Sequence, residues 1–245
     1  MIEIKNLTVI YSDGTKAVDD VSFTVGDGES VALVGANGAG KTTLLLSLVG
    51  IVPIHSGTVA ADGTVLSRKT VSEIRRKIGM VFQNPDDQLF MPMIFDDVAF
   101  GPRNYGMSEA EVKERADAAL CALGIAHLRG KSSLKLSGGE KRMAAVATVL
   151  AMAPSAMIFD EPTAFLDPKA RRNLIGVLNG LPHGKLIATH DMTFAQEVCS
   201  RVIVIKKGRV FADGSPEVIL NDVRLMEEGG LEAVSARLHR RTHDS

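Results

Sequence analysis

Apolar and polar positions alternate from the first residues of the chain. Ile2, Ile4, Leu7, Val9 and Tyr11 are separated by polar residues, and Ser-Asp-Gly-Thr follows. The pattern predicts a half-exposed antiparallel strand ending in a turn. Further on, the alternation gives way to short, continuous apolar runs: ESVALVG (Glu29 to Gly35), Ile78 to Phe82, Ala156 to Asp160, Leu186 to Thr189 and Val202 to Ile205. Runs of this length bounded by turn residues read as strands buried on both faces, and the helical patterns between them predict a mostly parallel sheet with crossover helices. Between about Pro92 and Pro154 the pattern is helical almost throughout. Ser108 and Glu111 form a capping box ahead of EVKERADAALCALG, which ends at Gly124. The expected architecture is an α/β core with an inserted helical lobe.

Composition narrows the setting. The 245 residues are 45% hydrophobic, enough for a substantial core. Lys plus Arg (28) nearly balances Asp plus Glu (29), so no global field draws the chain to nucleic acid or an anionic membrane. Cys121 and Cys199 lack metal-site or disulfide-framework spacing, and both fall on apolar helical faces, where they are expected to be small core residues. MIEIKNLTV lacks the basic-then-apolar pattern of a secretion signal, and the longest apolar stretch, Met143 to Ala153, is too short for a bilayer. The expectation is a soluble, cytosolic chain. The polar end HRRTHDS is expected to fray, and His55, His127, His183, His239 and His243 are read as surface residues without ligand spacing.

The chemistry begins at Gly35 to Thr42, GANGAGKT, which fits G-x-x-x-x-G-K-[ST] between a predicted strand and a predicted helix. Glycines at 35, 38 and 40 let the backbone curl around phosphate oxygens. Lys41 is placed to reach the β- and γ-phosphates, and the Thr42 hydroxyl to bind Mg²⁺. SAMIFDEP, ending in Asp160 and Glu161, fits the companion motif. An acidic pair after a strand is ordinarily a polar loop start. Beside a phosphate loop it becomes a Mg²⁺ carboxylate (Asp160) and a residue that polarises the attacking water (Glu161). LSGGE, Leu136 to Glu140, opens a second helix with another potential anion site, which has no evident use for the same nucleotide.

With these motifs in this order, the sequence resembles the ATP-binding cassette (ABC) family over about residues 2 to 220. The resemblance implies a P-loop NTPase fold: a RecA-like nucleotide-binding core with an N-terminal antiparallel β subdomain (1–90 and 155–220), an inserted α-helical subdomain carrying LSGGE (91–154), and a helical or polar tail (221–245). It implies ATP and Mg²⁺ as ligands and head-to-tail pairing with a second copy or a closely related ATPase subunit, with Ser137, Gly138 and Gly139 acting on the partner's nucleotide. Tyr11 would stack on adenine, Asn37 and Thr43 would join the phosphate loop, and Gln83 would serve the metal beside Thr42 and Asp160. Glu161, His190, Gln83 and Lys41 would be the catalytic set, with Asp167 facing the other subunit. One departure is Phe165, where the family usually has a smaller residue before Asp167. A bulky side chain there is expected to remove backbone freedom at the dimer interface.

FQNPDDQLF (Phe82 to Phe90), followed by DDVAFGP, resembles the energy-coupling factor branch of importers, especially its cobalt and nickel members. The branch implies integral membrane coupling and substrate-binding subunits docking near Gln83 to Phe95, a peripheral location on the cytoplasmic face of the cell membrane, and no nucleic acid. Leu89 and Phe90 are expected to face the partner, and Asp86 and Asp87 to cap the turn after Pro85. A vitamin importer of the biotin type shares the mechanism. A soluble cassette ATPase of DNA repair or translation is the rival of another class, which a long coiled coil or a second cassette would favour; this chain has neither.

Overall fold

The computed structural model describes residues 1–233. In chain order, the first half contains β1 (Ile2–Ile10), β2 (Lys16–Val25), β3 (Ser30–Val34), α1 (Lys41–Leu48), β4 (Ser56–Ala61), β5 (Thr64–Val65), α2 (Val71–Lys77), β6 (Ile78–Val81), α3 (Ile94–Asn104) and α4 (Glu109–Ala122). The second half contains α5 (Gly138–Leu150), β7 (Ala156–Asp160), α6 (Pro168–Gly180), β8 (Gly184–Ala188), α7 (Met192–Val198), β9 (Arg201–Lys206), β10 (Arg209–Gly214), α8 (Pro216–Ile219) and α9 (Val223–Glu228).

The central sheet runs β10-β9-β3-β8-β7-β6, parallel except for β10. Its strands are apolar throughout because both faces are covered. Ala32 and Val34 of β3 join one core, whereas Val31 and Leu33 join the other. Met157 and Phe159 of β7 are separated from Ala156 and Ile158 in the same way. One core contains α5, α6 and α7, and the other contains α1 with β1 and β2.

A second, antiparallel sheet runs β2-β1-β4-β5. The alternation of the first residues predicts β1, but β2, β4 and β10 are not legible in the same way. Strand β2 carries Asp19 and Asp20 at its middle, and Asp20 sits at φ +55 opposite Asn6 at φ +48. Asn6 Nδ2 donates to Asp20 Oδ1 at 2.9 Å, and the β1–β2 register shifts between Ile4 and Leu7 and again before Val9. Such irregularities interrupt the period of two on which the pattern depends.

The helical stretch comprises α3, α4 and α5. Both capping boxes are present: Ser108 with Glu111 on α4, and Ser137 with Glu140 on α5. Gly124 at φ +68 ends the α4 segment, and the Ile125 N–H returns to the Leu120 carbonyl.

Several expectations require correction. Cys121 is exposed rather than in the core; Cys199 is buried, and burial pushes its thiol up to about 12. Leu89 is buried in the core rather than facing outward, as is Ile94, which leaves Phe90, Met93 and Phe100 as the exposed apolar groups of this region. His183 is half-buried rather than on the surface, and burial holds its imidazole below the ordinary value. The turn after Phe82 is capped by Asn84, whose side chain accepts from the Asp86 N–H; Asp86 instead pairs with Lys141 of α5 at 2.7 Å. His239, His243 and the HRRTHDS tail lie outside the described residues.

Candidate active site

The phosphate loop leaves the C-terminal edge of β3 and turns into α1. Its curvature requires glycine at two places. Gly40, the residue capping α1, stands at φ +105, and a Cβ there would lie 2.2 Å from the Ala17 carbonyl oxygen. A Cβ on Gly35 would lie 2.4 Å from the Ile205 carbonyl oxygen. The loop is thus pressed between β2 and β9, where only bare backbone fits. No side chain caps α1, so its first N–H groups remain available to an anion.

Lys41 is buried and folds back over its own loop, its Nζ 2.7 Å from the Gly35 carbonyl and 3.3 Å from that of Ala36. Burial holds its ammonium below the ordinary value, with Glu161 and Asp160 acting in the opposite direction. The carbonyl contacts occupy the hydrogen-bonding positions that phosphate oxygens would take.

Asp160, at the end of β7, is 4% exposed, and burial raises its carboxyl despite a hydrogen bond from Thr42. Its Oδ1 is buried and has no partner. Glu161 follows at φ +43, an uncommon conformation for a residue with a side chain. The turn aims its carboxylate at His190, whose Nδ1 lies 2.7 Å from Glu161 Oε2 and whose backbone N–H donates to the same oxygen at 3.2 Å. Tyr11 lies just beyond β1, its hydroxyl 2.8 Å from Thr43 Oγ1.

These groups surround a cleft of ≈ 610 Å³, lined among others by Tyr11, Asn37, Gly38, Gly40, Lys41, Thr42, Thr43, Gln83, Glu161 and His190. Asp160 and Gly35 are not among its lining residues. Sequence reasoning missed Lys16, Ala17, Lys207 and Gly208, which also line it. They come from the start of β2 and the β9–β10 turn, where no motif marks them. The Gly208 N–H donates to Ala39 and its carbonyl accepts from Asp19, so this turn joins the phosphate loop to the antiparallel sheet.

Ser137, Gly139 and Asp167 belong to a different cleft of ≈ 740 Å³, which also includes Glu140, Lys169 and Arg172. Here both helix ends carry a side-chain cap. Ser137 Oγ accepts from the Glu140 N–H, and Asp167 Oδ1 accepts from Lys169 and Ala170 N–H at 2.8 Å each. Gly139 has a packing reason as well, because a Cβ on it would lie 2.6 Å from the Ala170 Cβ of α6. Gly138 lies beside the Phe165 carbonyl. Phe165 does not deny the loop a left-handed turn. It adopts one itself at φ +62, leaving its ring 92% exposed.

A glycine-walled loop between a parallel strand and a helix, with a buried lysine above it and a strand-end carboxylate beside it, defines a P-loop nucleotide-binding protein. The profile of the ABC transporter family matches residues 18–164. A putative ABC transporter ATP-binding protein of Geobacter sulfurreducens is 50% identical over 95% of this chain and 93% of its own. Two further relatives are 44% identical: the energy-coupling factor transporter ATP-binding protein EcfA of Carboxydothermus hydrogenoformans (95% of this chain, 87% of its own) and the cobalt import ATP-binding protein CbiO of Rhodobacter capsulatus (92% and 82%). Among solved structures, CbiO1 of Clostridium perfringens, part of the transporter complex CbiONQ, superimposes with a TM-score of 0.83 at 37% identity, covering 99% of this chain and 97% of that one. A dimeric ATP-binding cassette in a post-hydrolysis state with ADP and Pi bound gives 0.78 at 28% identity, covering 88% and 99%. The chain belongs to the ABC transporter family.

Proposed function

We propose that this chain is the ATP-hydrolysing subunit of an energy-coupling factor importer, that it works as a dimer, and that it powers uptake of a transition metal ion, cobalt or nickel, through membrane partner subunits. The observation that carries the hydrolytic reading is the Glu161–His190 pair standing over the phosphate loop in one cleft. ATP is the substrate. Lys41 exchanges its loop carbonyls for phosphate oxygens, and the free N–H groups of α1 hold the rest of the chain of phosphates. Glu161 accepts a proton from the attacking water, His190 holds that carboxylate in place, and Tyr11 offers its ring to the adenine.

The residues present fit Mg²⁺. Asp160 Oδ1 is a buried carboxylate oxygen without a partner, and the Thr42 hydroxyl is beside it. Thr42, Asp160 and Gln83 would supply oxygen ligands suited to a hard cation. When bound, the ion neutralises charge on the β- and γ-phosphates. Asp86 and Asp87 take no part: Asp86 is committed to Lys141, and both are exposed.

The dimer reading is supported by the division of phosphate-facing features between two clefts of one chain, and by the dimeric cassette it resembles. Ser137, Gly138 and Gly139 then serve the partner copy's nucleotide, and Asp167 faces across the interface. The membrane reading is supported by the exposed Phe90, stacked edge-on against Phe100 at 4.9 Å, with Met93 also exposed, and by relatives named as an energy-coupling factor transporter ATP-binding protein and a cobalt import ATP-binding protein. Such an apolar patch suits a docked helix. No helix among the described residues is long and apolar enough to cross a membrane. On this reading the membrane-embedded part belongs to partners docking near Gln83 to Phe95, with this subunit peripheral on the cytoplasmic face. The helical region over 91–154 is the lobe that carries LSGGE, inserted in the core of 1–90 and 155–220. Co-purification with the neighbouring membrane proteins, followed by metal uptake measured in cells, tests this assignment. Uptake of cobalt or nickel that is unchanged when Glu161→Gln replaces the wild type would refute it.

A further inference from the structure

The largest fully buried side chain among the described residues is a charged one. Arg142 is 1% exposed, in the middle of α5 among Met143, Ala144 and Ala145. Among the described residues it forms no ion pair. Its Nη1 donates to the Phe82 carbonyl at 2.6 Å and its Nη2 to the Gln83 carbonyl at 2.5 Å, while Nε has no partner. Burial lowers the guanidinium to about 10, so it remains charged at neutral pH, with Asp160 as the carboxylate acting on it.

Burying a cation against two neutral carbonyls is a poor way to gain stability, and hydrophobic residues of similar volume usually do as well or better. The placement accounts for it. Phe82 and Gln83 are the residues at which the chain leaves β6 and enters the nucleotide cleft, and two further contacts fasten the same segment to the same helix. The Gln88 amide donates to the Ala145 carbonyl at 2.9 Å and to Thr148 Oγ1 at 2.6 Å while its oxygen accepts from the Phe82 N–H, and Lys141 pairs with Asp86. Gln83 itself is exposed in the cleft and, among the described residues, is held only through its backbone.

We propose that Arg142 is a positioning residue for ATP hydrolysis: its guanidinium clamps the Phe82 and Gln83 carbonyls to α5, so that Gln83 is presented to the nucleotide by the helix whose N-terminus carries Ser137. This rests on the reading of Gln83 as a group that serves the nucleotide and its metal. The clamp makes the segment from Phe82 to Gln88 move as one body with α5. A displacement of either end is then transmitted to the other without passing through the central sheet.

The test compares Arg142→Met, which keeps the stem and removes the donors, with Arg142→Lys, which keeps the charge but reaches one carbonyl at a time. Gln83→Ala serves as the reference. Arg142→Met is expected to lower kcat about tenfold or more while leaving ATP affinity, measured without hydrolysis in EDTA, within about threefold. Hydrogen exchange should accelerate in residues 82–88 and stay unchanged in α1. Arg142→Lys should recover part of the rate, and it carries the test if Arg142→Met is insoluble. Wild-type kcat and exchange in Arg142→Met, or in Arg142→Lys where that variant stands in, would overturn the proposal. So would a joint loss of rate and affinity with exchange faster throughout, which would make Arg142 a support for the whole fold. If Gln83→Ala hydrolyses ATP at the wild-type rate, the Gln83 reading fails instead, and local exchange in the Arg142 variants still reports on the clamp.

Discussion

The N-termini of α1 and α5 both open with small residues and both suit an anion, yet they are finished differently. Helix α1 is capped by Gly40 in a left-handed conformation with no side-chain bond, so its N–H groups are left open above the phosphate loop. Helix α5 carries a capping box of Ser137 and Glu140, each side chain satisfying the other's backbone. On the function proposed, the first serves the chain's own nucleotide. In the second the cap takes up the Ser137 and Glu140 N–H groups and leaves those of Gly138 and Gly139, which on the proposed reading face the partner copy's nucleotide. A free helix end is costly to leave unsatisfied, so a protein leaves one open where a ligand will complete it.

The largest effect on binding expected from this contrast is at α1. Gly40→Ala places a methyl group where the Ala17 carbonyl stands and strains a backbone at φ +105. ATP binding, measured by calorimetry, should weaken by roughly a hundredfold or more. Next comes chemistry without binding: Glu161→Gln should lower kcat by about 10²–10⁴-fold, the range for losing a positioned general base, while ATP affinity remains close to wild type. Ser137→Ala should leave ATP binding to the single chain unchanged, reduce hydrolysis about tenfold, and cost about 1 kcal/mol of stability from the lost cap, read by denaturant unfolding. If it weakened binding as strongly as Gly40→Ala, the contrast between the two helix ends would collapse.

A smaller effect concerns the segment between the two ends. Asp97 is 2% exposed and accepts the Phe90 and Met91 N–H groups through Oδ1, while Oδ2 has no partner. Burial raises its carboxyl above the ordinary value, against the two backbone hydrogen bonds. A raised folded-state value means that the folded chain binds this proton more tightly than the unfolded one. The stabilisation is therefore fully present below the unfolded value and is lost as pH rises through the folded one. Asp97→Asn should abolish that dependence, so the difference in melting temperature should shift toward the variant as pH rises from the ordinary carboxylate value of about 4.

How much was legible follows from the same structural logic. The phosphate loop, the strand-end acids and LSGGE were readable because each is a contiguous stretch whose chemistry depends on local backbone shape. The central strands β3, β6, β7, β8 and β9 were readable because both faces are buried, so their runs are uninterrupted. The antiparallel β2 was not, because Asn6 and Asp20 break its alternation. Lys207 and Gly208 reach the nucleotide cleft only through tertiary packing against β2, and nothing local signals it. Arg142 was hidden for the opposite reason. A charged residue within a helix reads as solvated, and only the carbonyls of Phe82 and Gln83 explain why it is not.

The central claim, that one nucleotide is completed by α1 of one copy and α5 of another, is tested most directly by complementation. A chain carrying Lys41→Ala and a chain carrying Ser137→Arg are each mixed with ATP alone and then together. In a mixed dimer one site collects both defects and the other is intact, so the mixture should recover up to about a quarter of wild-type activity, half the dimers each having half their sites. A mixture no more active than the sum of its parts would place α1 and α5 of one and the same copy on a nucleotide and contradict the account.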